Sequence, residues 1–250
     1  MGGTGQALQL AQKLLQQGHS LIYSIAGLVR QPDLPCPIIS GGFTQFGGMA
    51  AFIRARKIGL IIDATHPYAA QISQHAVTAA QDCGIPCWRL QRPAWQAVDG
   101  DNWSEFVDWE DLLPALHGYE RVFLSQGRLS AQQLNALIQH RRPGQQYYLR
   151  TAVKPVLDLP DWIESIQAIG PFSDADELAL FRQLKIDALV SKNSGGEMTV
   201  AKLRTARELG VPVLFLRRPG LPEADKAFIE ENDLLDGLLE WGQHGENIAG

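Results

Sequence analysis

The sequence predicts an α/β fold in two lobes with mainly parallel sheets. Three observations carry the prediction. Short apolar runs alternate with amphipathic stretches, the pattern of parallel strands joined by crossover helices. The opening Met1-Gly2-Gly3-Thr4-Gly5 runs straight into a helical stretch. The alternation then restarts after an irregular segment, Arg92–Asn102, that carries Pro, Gly and Asp. Residues 1–95 therefore read as one Rossmann-like lobe and 104–218 as a second α/β lobe, with 219–250 as a helical tail. In such sheets ligands sit at the carboxyl ends of the strands, so a cleft between the lobes is the expected binding region.

In the first lobe, a helix over Ala7–Gln17 ends at Gly18. Glycines beside a helix start let the backbone approach a ligand, and the free N–H groups and positive end favour an anion. Gly2, Gly3, Thr4 and Gly5 thus read as a phosphate cradle or as a tight connection. Such a cradle normally follows a buried strand, so an apolar strand of about five or six residues is expected ahead of it. Ser20–Ser24 reads as a strand, and Ser24, Ala26 and Gly27 then occupy the place that meets the adenosine ribose in a dinucleotide fold. No carboxylate stands there, and Arg30 is within reach of a 2′-phosphate; a solvated loop is the alternative. A short strand, Ile38–Ser40, leads into Gly41, Gly42 and Phe43, then Gly47-Gly48 and a helix over Phe46–Lys57. These glycines imply close backbone approach, a lid or a surface turn.

The buried run Gly59–Asp63 delivers Asp63, Thr65, His66 and Tyr68 into one strand-to-helix corner, with Pro67 fixing the backbone. His66 can donate a proton or orient a substrate; the alternative has Asp63 or Thr65 capping the helix Ala69–Cys83. Pro86–Arg89 is the next strand.

In the second lobe, the strand Arg121–Ser125 precedes Arg128 and a helix over Ser130–Ile138. Gln146–Arg150 and Glu164–Ile169 are strands. Ser173 caps a helix whose first turn carries Asp174, Asp176 and Glu177. The strand Asp187–Ser191 opens onto Lys192, Asn193, Ser194, Gly195 and Gly196, a cation and polar donors before a helix over Thr199–Leu209 that carries Lys202. That suits an anionic ligand or a solvated turn. Pro212–Leu216 is the last strand, and Pro222–Trp241 suggests a terminal helix.

Composition narrows the function. Net charge is −5, which argues against non-specific nucleic-acid binding. No apolar run approaches the ~20 residues that span a bilayer, and no signal peptide is visible. Three cysteines, Cys36, Cys83 and Cys87, suit a reducing cytoplasmic setting and supply no metal-ligand spacing.

The motifs together resemble the precorrin-6A reductase family of cobalamin biosynthesis, including its cobalt-precorrin-6A counterpart. The matching pieces are Gly2–Gly5, Tyr23–Gly27, Gly41–Phe43, Asp63–Pro67, Arg92–Trp95, Gly170–Phe172 and Ser191–Gly196, then Lys202-Leu203, Ala206–Gly210 and Arg217–Pro219. They follow the family's order across residues 2–219. The family commonly has an arginine where this chain has Leu28.

The resemblance implies hydride and proton addition to one macrocycle double bond, at C18/C19, with NADPH, or alternatively NADH, as cofactor. The substrate is a polycarboxylate tetrapyrrole, and transient contact with neighbouring pathway enzymes is expected. On this reading His66 and Asp63 are candidate catalytic residues. Gly2 to Gly5, Ser24, Ala26, Gly27, Arg30, Gly41, Gly42, Phe43 and Thr65 hold the cofactor. Tyr68, Arg128, Lys192, Asn193, Ser194, Gly195 and Lys202 meet the substrate. A Rossmann-type reductase of another small molecule, and a non-catalytic nucleotide- or metabolite-sensing module, are the alternatives.

Overall fold

The computed structural model describes residues 1–27 and 31–246, the side chains of 243–246 excepted. The chain forms two compact units, one of residues 1–93 with the chain's end from Pro219, the other Ala94–Arg218. Each has mainly parallel sheet flanked by helices.

The first unit begins with α1 (Gly5–Gln16), capped by Thr4, whose hydroxyl accepts from the Ala7 amide at 3.0 Å. Strands β1 (Tyr23–Ile25) and β2 (Ile38–Ser40) pair in parallel. The sequence predicts one helix over Phe46–Lys57. The structure divides it into a 3₁₀ turn, Thr44–Phe46, and α2 (Met49–Arg56). Gly47 and Gly48 cause the break: both take left-handed φ, 76° and 103°, which a continuous helix of L-residues does not allow. Strand β3 (Ile61–Asp63) is followed by α3 (Ala70–Cys83) and β4 (Cys87–Leu90), which pairs with β3 in parallel.

The second unit opens with β5 (Trp103–Phe106), then α4 (Trp109–Leu112), a 3₁₀ turn, and β6 (Arg121–Ser125). Next come α5 (Ala131–His140), β7 (Gln146–Thr151), β8 (Ile163–Gln167) and α6 (Asp174–Leu184). Strand β9 (Ala188–Lys192), α7 (Ala201–Leu209) and β10 (Val213–Leu216) complete it. All strand pairs are parallel, in the order β5-β10-β9-β6-β7-β8. Read in chain order from β6, the core is 3-2-1-4-5, so the direction of winding switches between β6 and β9. Central strands carry continuous apolar runs because both faces are covered: Val122, Phe123 and Leu124 of β6 and Ala188, Leu189 and Val190 of β9 are fully buried.

The chain then returns to the first unit. From Pro219 onward the chain groups with the first unit. Strand β11 (Lys226–Phe228) adds in parallel to β4, and only then does α8 (Glu231–Glu246) begin. The Asp225 carboxylate accepts the Cys87 amide at 2.7 Å, and Phe228 packs on Trp88. Leu234, Leu235 and Leu238 enter the same core as Leu10 and Leu14 of α1. Among the described residues, no helix is long and apolar enough to cross a membrane.

Candidate active site

The glycine-rich opening is shaped by its neighbours. A Cβ on Gly2 would stand 2.2 Å from the Tyr23 hydroxyl, so that ring requires glycine there. Gly3 has φ 103° and its amide donates to the Tyr23 hydroxyl at 3.3 Å. The Thr4 hydroxyl is already engaged, accepting from Ala7 and donating to the Ala64 carbonyl at 3.1 Å; it is a cap rather than a donor to a ligand. The helix start still presents the Gly5 and Gln6 amides, which have no partner within a helix.

The ends of β1 and β2 lie beside one another, since their pairing runs to Ile25 and Ser40. A Cβ on Gly27 would stand 2.2 Å from the Ser40 hydroxyl. Gly41 and Gly42 both have left-handed φ, and nothing lies within 4 Å of where their Cβ atoms would stand. Ser24 is half-buried, Ala26 is exposed, and Phe43 packs against Phe52. Arg30 lies outside the described residues.

Beyond β3, the corner is organised by Asp63. It is 2% exposed. One carboxylate oxygen accepts from the Thr65 amide and hydroxyl, at 3.2 and 2.7 Å, and the other from Arg89 Nε at 3.2 Å. Burial pushes its pKa up, but hydrogen bonds from Thr65 and Ser73, aided by the Met1 ammonium, outweigh this and hold it below the ordinary value. Asp63 is therefore an ionised anchor, with both oxygens committed. Thr65 is tied to it. His66 is half-buried, its Nδ1 accepts the Tyr68 amide at 3.3 Å, and the two rings sit 5.7 Å apart. With Nδ1 used as an acceptor, Nε2 is the nitrogen that carries the proton of the neutral ring.

In the second unit the strand ends gather a different set. Asn193 is 5% exposed, and its side-chain amide pins Trp95, accepting the Trp95 amide at 2.8 Å and donating to its carbonyl at 3.1 Å. Its own carbonyl accepts from Arg218 Nε at 2.6 Å. Asn193 is a latch, not a free ligand donor. Lys192 is half-buried, and burial lowers its pKa. Ser194 and Gly195 are buried in the turn that follows, and Arg128 is exposed on the loop after β6.

Lys202 is 3% exposed, which removes it from direct contact with a substrate carboxylate. Its ammonium donates to the Ser125 carbonyl and hydroxyl, at 3.4 and 3.1 Å, and lies 5.7 Å from the Trp95 ring centre. Arg150 also donates to the Ser125 hydroxyl at 3.3 Å and pairs with buried Glu177. Its guanidinium is stacked on Phe172 at 3.9 Å. Next to this hub, Gln126 is buried with neither amide atom hydrogen-bonded among the described residues. Sequence patterns do not signal Gln126, Arg150 or Ser125: each ends or follows an ordinary strand, and only the sheet order brings β6, β7 and α7 together.

Burial, reinforced by the Arg150 charge and opposed by Glu177, lowers the Lys202 pKa from 10.5 to about 7. Below pH 7 the native state must hold a buried ammonium that the unfolded chain leaves in water. Between about 7 and 10.5 the unfolded chain binds the proton that the native state does not, so this penalty shrinks as pH rises. The stability gap between Lys202→Met and wild type should therefore move in wild type's favour from pH 7 to pH 10. Urea midpoints at several pH values measure it, and a pH-independent gap contradicts the assignment.

A family model described as precorrin-6x reductase CbiJ/CobK matches residues 1–238. A precorrin-6A reductase of Rhodococcus erythropolis is 41% identical over 249 residues, covering 96% of this chain and 95% of the relative. One from Rhodobacter capsulatus is 35% identical over 255 residues, covering 100% and 97%. A cobalt-precorrin-6A reductase of Priestia megaterium is 27% identical over 233 residues, covering 88% and 89%. A solved structure described as CobK precorrin-6A reductase superposes with a TM-score of 0.84 at 34% identity, covering 96% of this chain and 94% of that one.

Proposed function

We infer how the site works from one premise: this chain belongs to the precorrin-6x reductase family. It is an oxidoreductase that reduces precorrin-6A, a tetrapyrrole, in cobalamin biosynthesis with a nicotinamide cofactor. When bound, the cofactor supplies hydride to a double bond of the macrocycle.

We assign the cofactor's pyrophosphate to the start of α1, where the Gly5 and Gln6 amides and the positive helix end favour an anion. The observation that carries this is the set of left-handed glycines at adjoining strand ends. Gly3, Gly41 and Gly42 each have open space where a side chain would stand, so a ligand can lie against bare backbone. Ser24, Ala26 and Gly27 then flank the adenosine.

NADPH is the preferred cofactor on this reading. Residues 26–30, directly after β1, offer Arg30 and no carboxylate for a ribose diol. Arg30→Ala should weaken NADPH about 10- to 100-fold, the worth of a charge-assisted hydrogen bond of about 1.5–3 kcal/mol, and leave NADH within about twofold. Titration of both cofactors by fluorescence measures this. Equal losses would remove Arg30 from the 2′-phosphate.

For the substrate, Arg128 and Lys192 pair with peripheral carboxylates, the guanidinium in bidentate fashion. Lys202 and Arg150 act one layer behind. Both donate into the Ser125 oxygen, which leaves the Ser125 hydroxyl proton to turn toward an acceptor. His66 delivers or steers the proton, and Asp63 is a positioning residue that holds the corner from which His66 projects.

A further inference from the structure

Three buried charges meet beside the carboxyl end of β6. Lys202 of α7, Arg150 of β7 and Glu177 of α6 are 3%, 6% and 2% exposed. Two are cations and one is a carboxylate, so the cluster is one negative charge short. Glu177 is committed to Arg150 through one oxygen, and its other oxygen has no hydrogen bond among the described residues. Lys202 is left with the Ser125 carbonyl and hydroxyl, at 3.4 and 3.1 Å, and with the Trp95 ring. None of these carries a charge.

A buried ammonium is costly unless an anion stands near it. A guanidinium does not give up its proton in a protein, so the cation that can is Lys202. Its backbone lies in the first turn of α7, where the positive helix end disfavours a cation further. Arg150 and Glu177 are the charges that act on it. Burial first, then Arg150, against Glu177, holds its pKa at about 7. Near neutrality the free protein thus sheds part of the imbalance by releasing the Lys202 proton.

An anion from outside removes the imbalance in the other way, and Ser125 is the place for it. Ser125 is half-buried at the end of β6, followed by Gln126 and then by exposed Gly127 and Arg128. Its hydroxyl oxygen accepts from Lys202 at 3.1 Å and from Arg150 at 3.3 Å. Its own proton is therefore left for a further acceptor.

We propose, resting on the reading that the second unit meets the substrate's carboxylates, that one tetrapyrrole carboxylate settles on the Ser125 hydroxyl and that Lys202 takes up one proton from solvent as it does so. Substrate affinity is thereby linked to pH. The carboxylate oxygen stands within about 6 Å of Nζ, given 3.1 Å for the observed bond and about 2.7 Å for an O–H···O bond. At an effective dielectric of about 20, an opposite charge at that distance favours the ammonium about 100-fold. The substrate's carboxylates ordinarily titrate near about pH 4 and stay ionised throughout. Below the free Lys202 value the ammonium is already present, and binding takes up nothing. From about 7 to about 9 the complex holds a proton that the free protein lacks, so affinity falls as pH rises.

Calorimetry of precorrin-6A binding to the full chain at about pH 8, in buffers of low and high ionisation enthalpy, counts the protons. NADP+ is present in place of NADPH, so that no turnover follows. Wild type should take up about 0.8 proton per macrocycle and bind about tenfold more weakly at about pH 8.5 than at about pH 7. Lys202→Arg, which is always charged, and Lys202→Met, which carries no charge, should each lose that uptake and most of the pH dependence. Lys192, whose pKa burial also lowers, stays in both variants, so a proton taken up there survives the substitution. Should neither variant fold, the Cε chemical shift of Lys202 in isotope-labelled wild type gives the same answer: mostly deprotonated at about pH 8 in the free protein, mostly protonated with precorrin-6A bound. Binding without proton uptake overturns the proposal and leaves the reductase reading standing. Uptake that persists in both Lys202 variants does the same. No binding at any pH overturns both.

Discussion

Asp63→Ala should cost about 3–5 kcal/mol of folding stability, because it strands a buried guanidinium. Arg89 is 6% exposed, and Asp63 is its charge partner at 3.2 Å. The rest of its compensation is thin: Nη1 donates to the Pro222 carbonyl at 2.6 Å, and Nη2 has no hydrogen bond among the described residues. Removing the carboxylate also frees Thr65, whose amide and hydroxyl both donate to it. Urea unfolding of wild type, Asp63→Ala and Asp63→Ala with Arg89→Met measures the effect. The double variant should recover much of the loss, since it no longer buries an unpaired charge.

The pH dependence follows in sign. The folded Asp63 carboxyl lies below its ordinary value of 3.8, so its contribution is complete above that pH and disappears as pH falls through the folded value. A single variant with an unchanged urea midpoint would show that Asp63 anchors nothing.

The sequence speaks most clearly where one physical requirement acts alone. Gly59–Asp63 and Arg121–Ser125 are legible as buried strands because both faces of a parallel sheet must be apolar. Ser173 is legible as a cap, and its hydroxyl accepts the Asp176 amide at 3.1 Å. Two edge strands are not legible in this way. Trp103–Phe106 has two apolar residues and sits at the end of its sheet, and Lys226–Phe228 pairs on one side only. Each is held by a partner distant in the chain, not by its own pattern.

The candidate site divides similarly. The corner Asp63–Tyr68 is visible because five of its residues are contiguous with a strand end, yet their division into anchor and projecting group depends on Arg89, 26 residues on. Lys202 illustrates the opposite case. Lys202 reads as a cation that meets the substrate, but it is buried, with Ser125 and Trp95 against its ammonium. Asn193 reads as a ligand donor and proves to be a latch on Trp95 for the same reason: its partner is 98 residues away.

The largest catalytic effect is expected at His66. Its Nδ1 accepts the Tyr68 amide, which orients the ring, and on the proposed reading this residue delivers or steers the proton. A positioned general acid contributes about 10²–10⁴-fold, so His66→Ala should slow the reductive step by that factor. Cofactor affinity should be unchanged, because the assigned pyrophosphate and adenosine contacts lie on α1, β1 and β2. The most direct measurement of the whole account is single-turnover stopped flow at the NADPH absorbance band, mixing precorrin-6A with NADPH-loaded wild type and with NADPH-loaded His66→Ala. Wild type should consume one NADPH per macrocycle, and His66→Ala should reach the same stoichiometry about 10²–10⁴-fold more slowly. Equal rates in the two proteins, or no NADPH consumed by wild type, would contradict it.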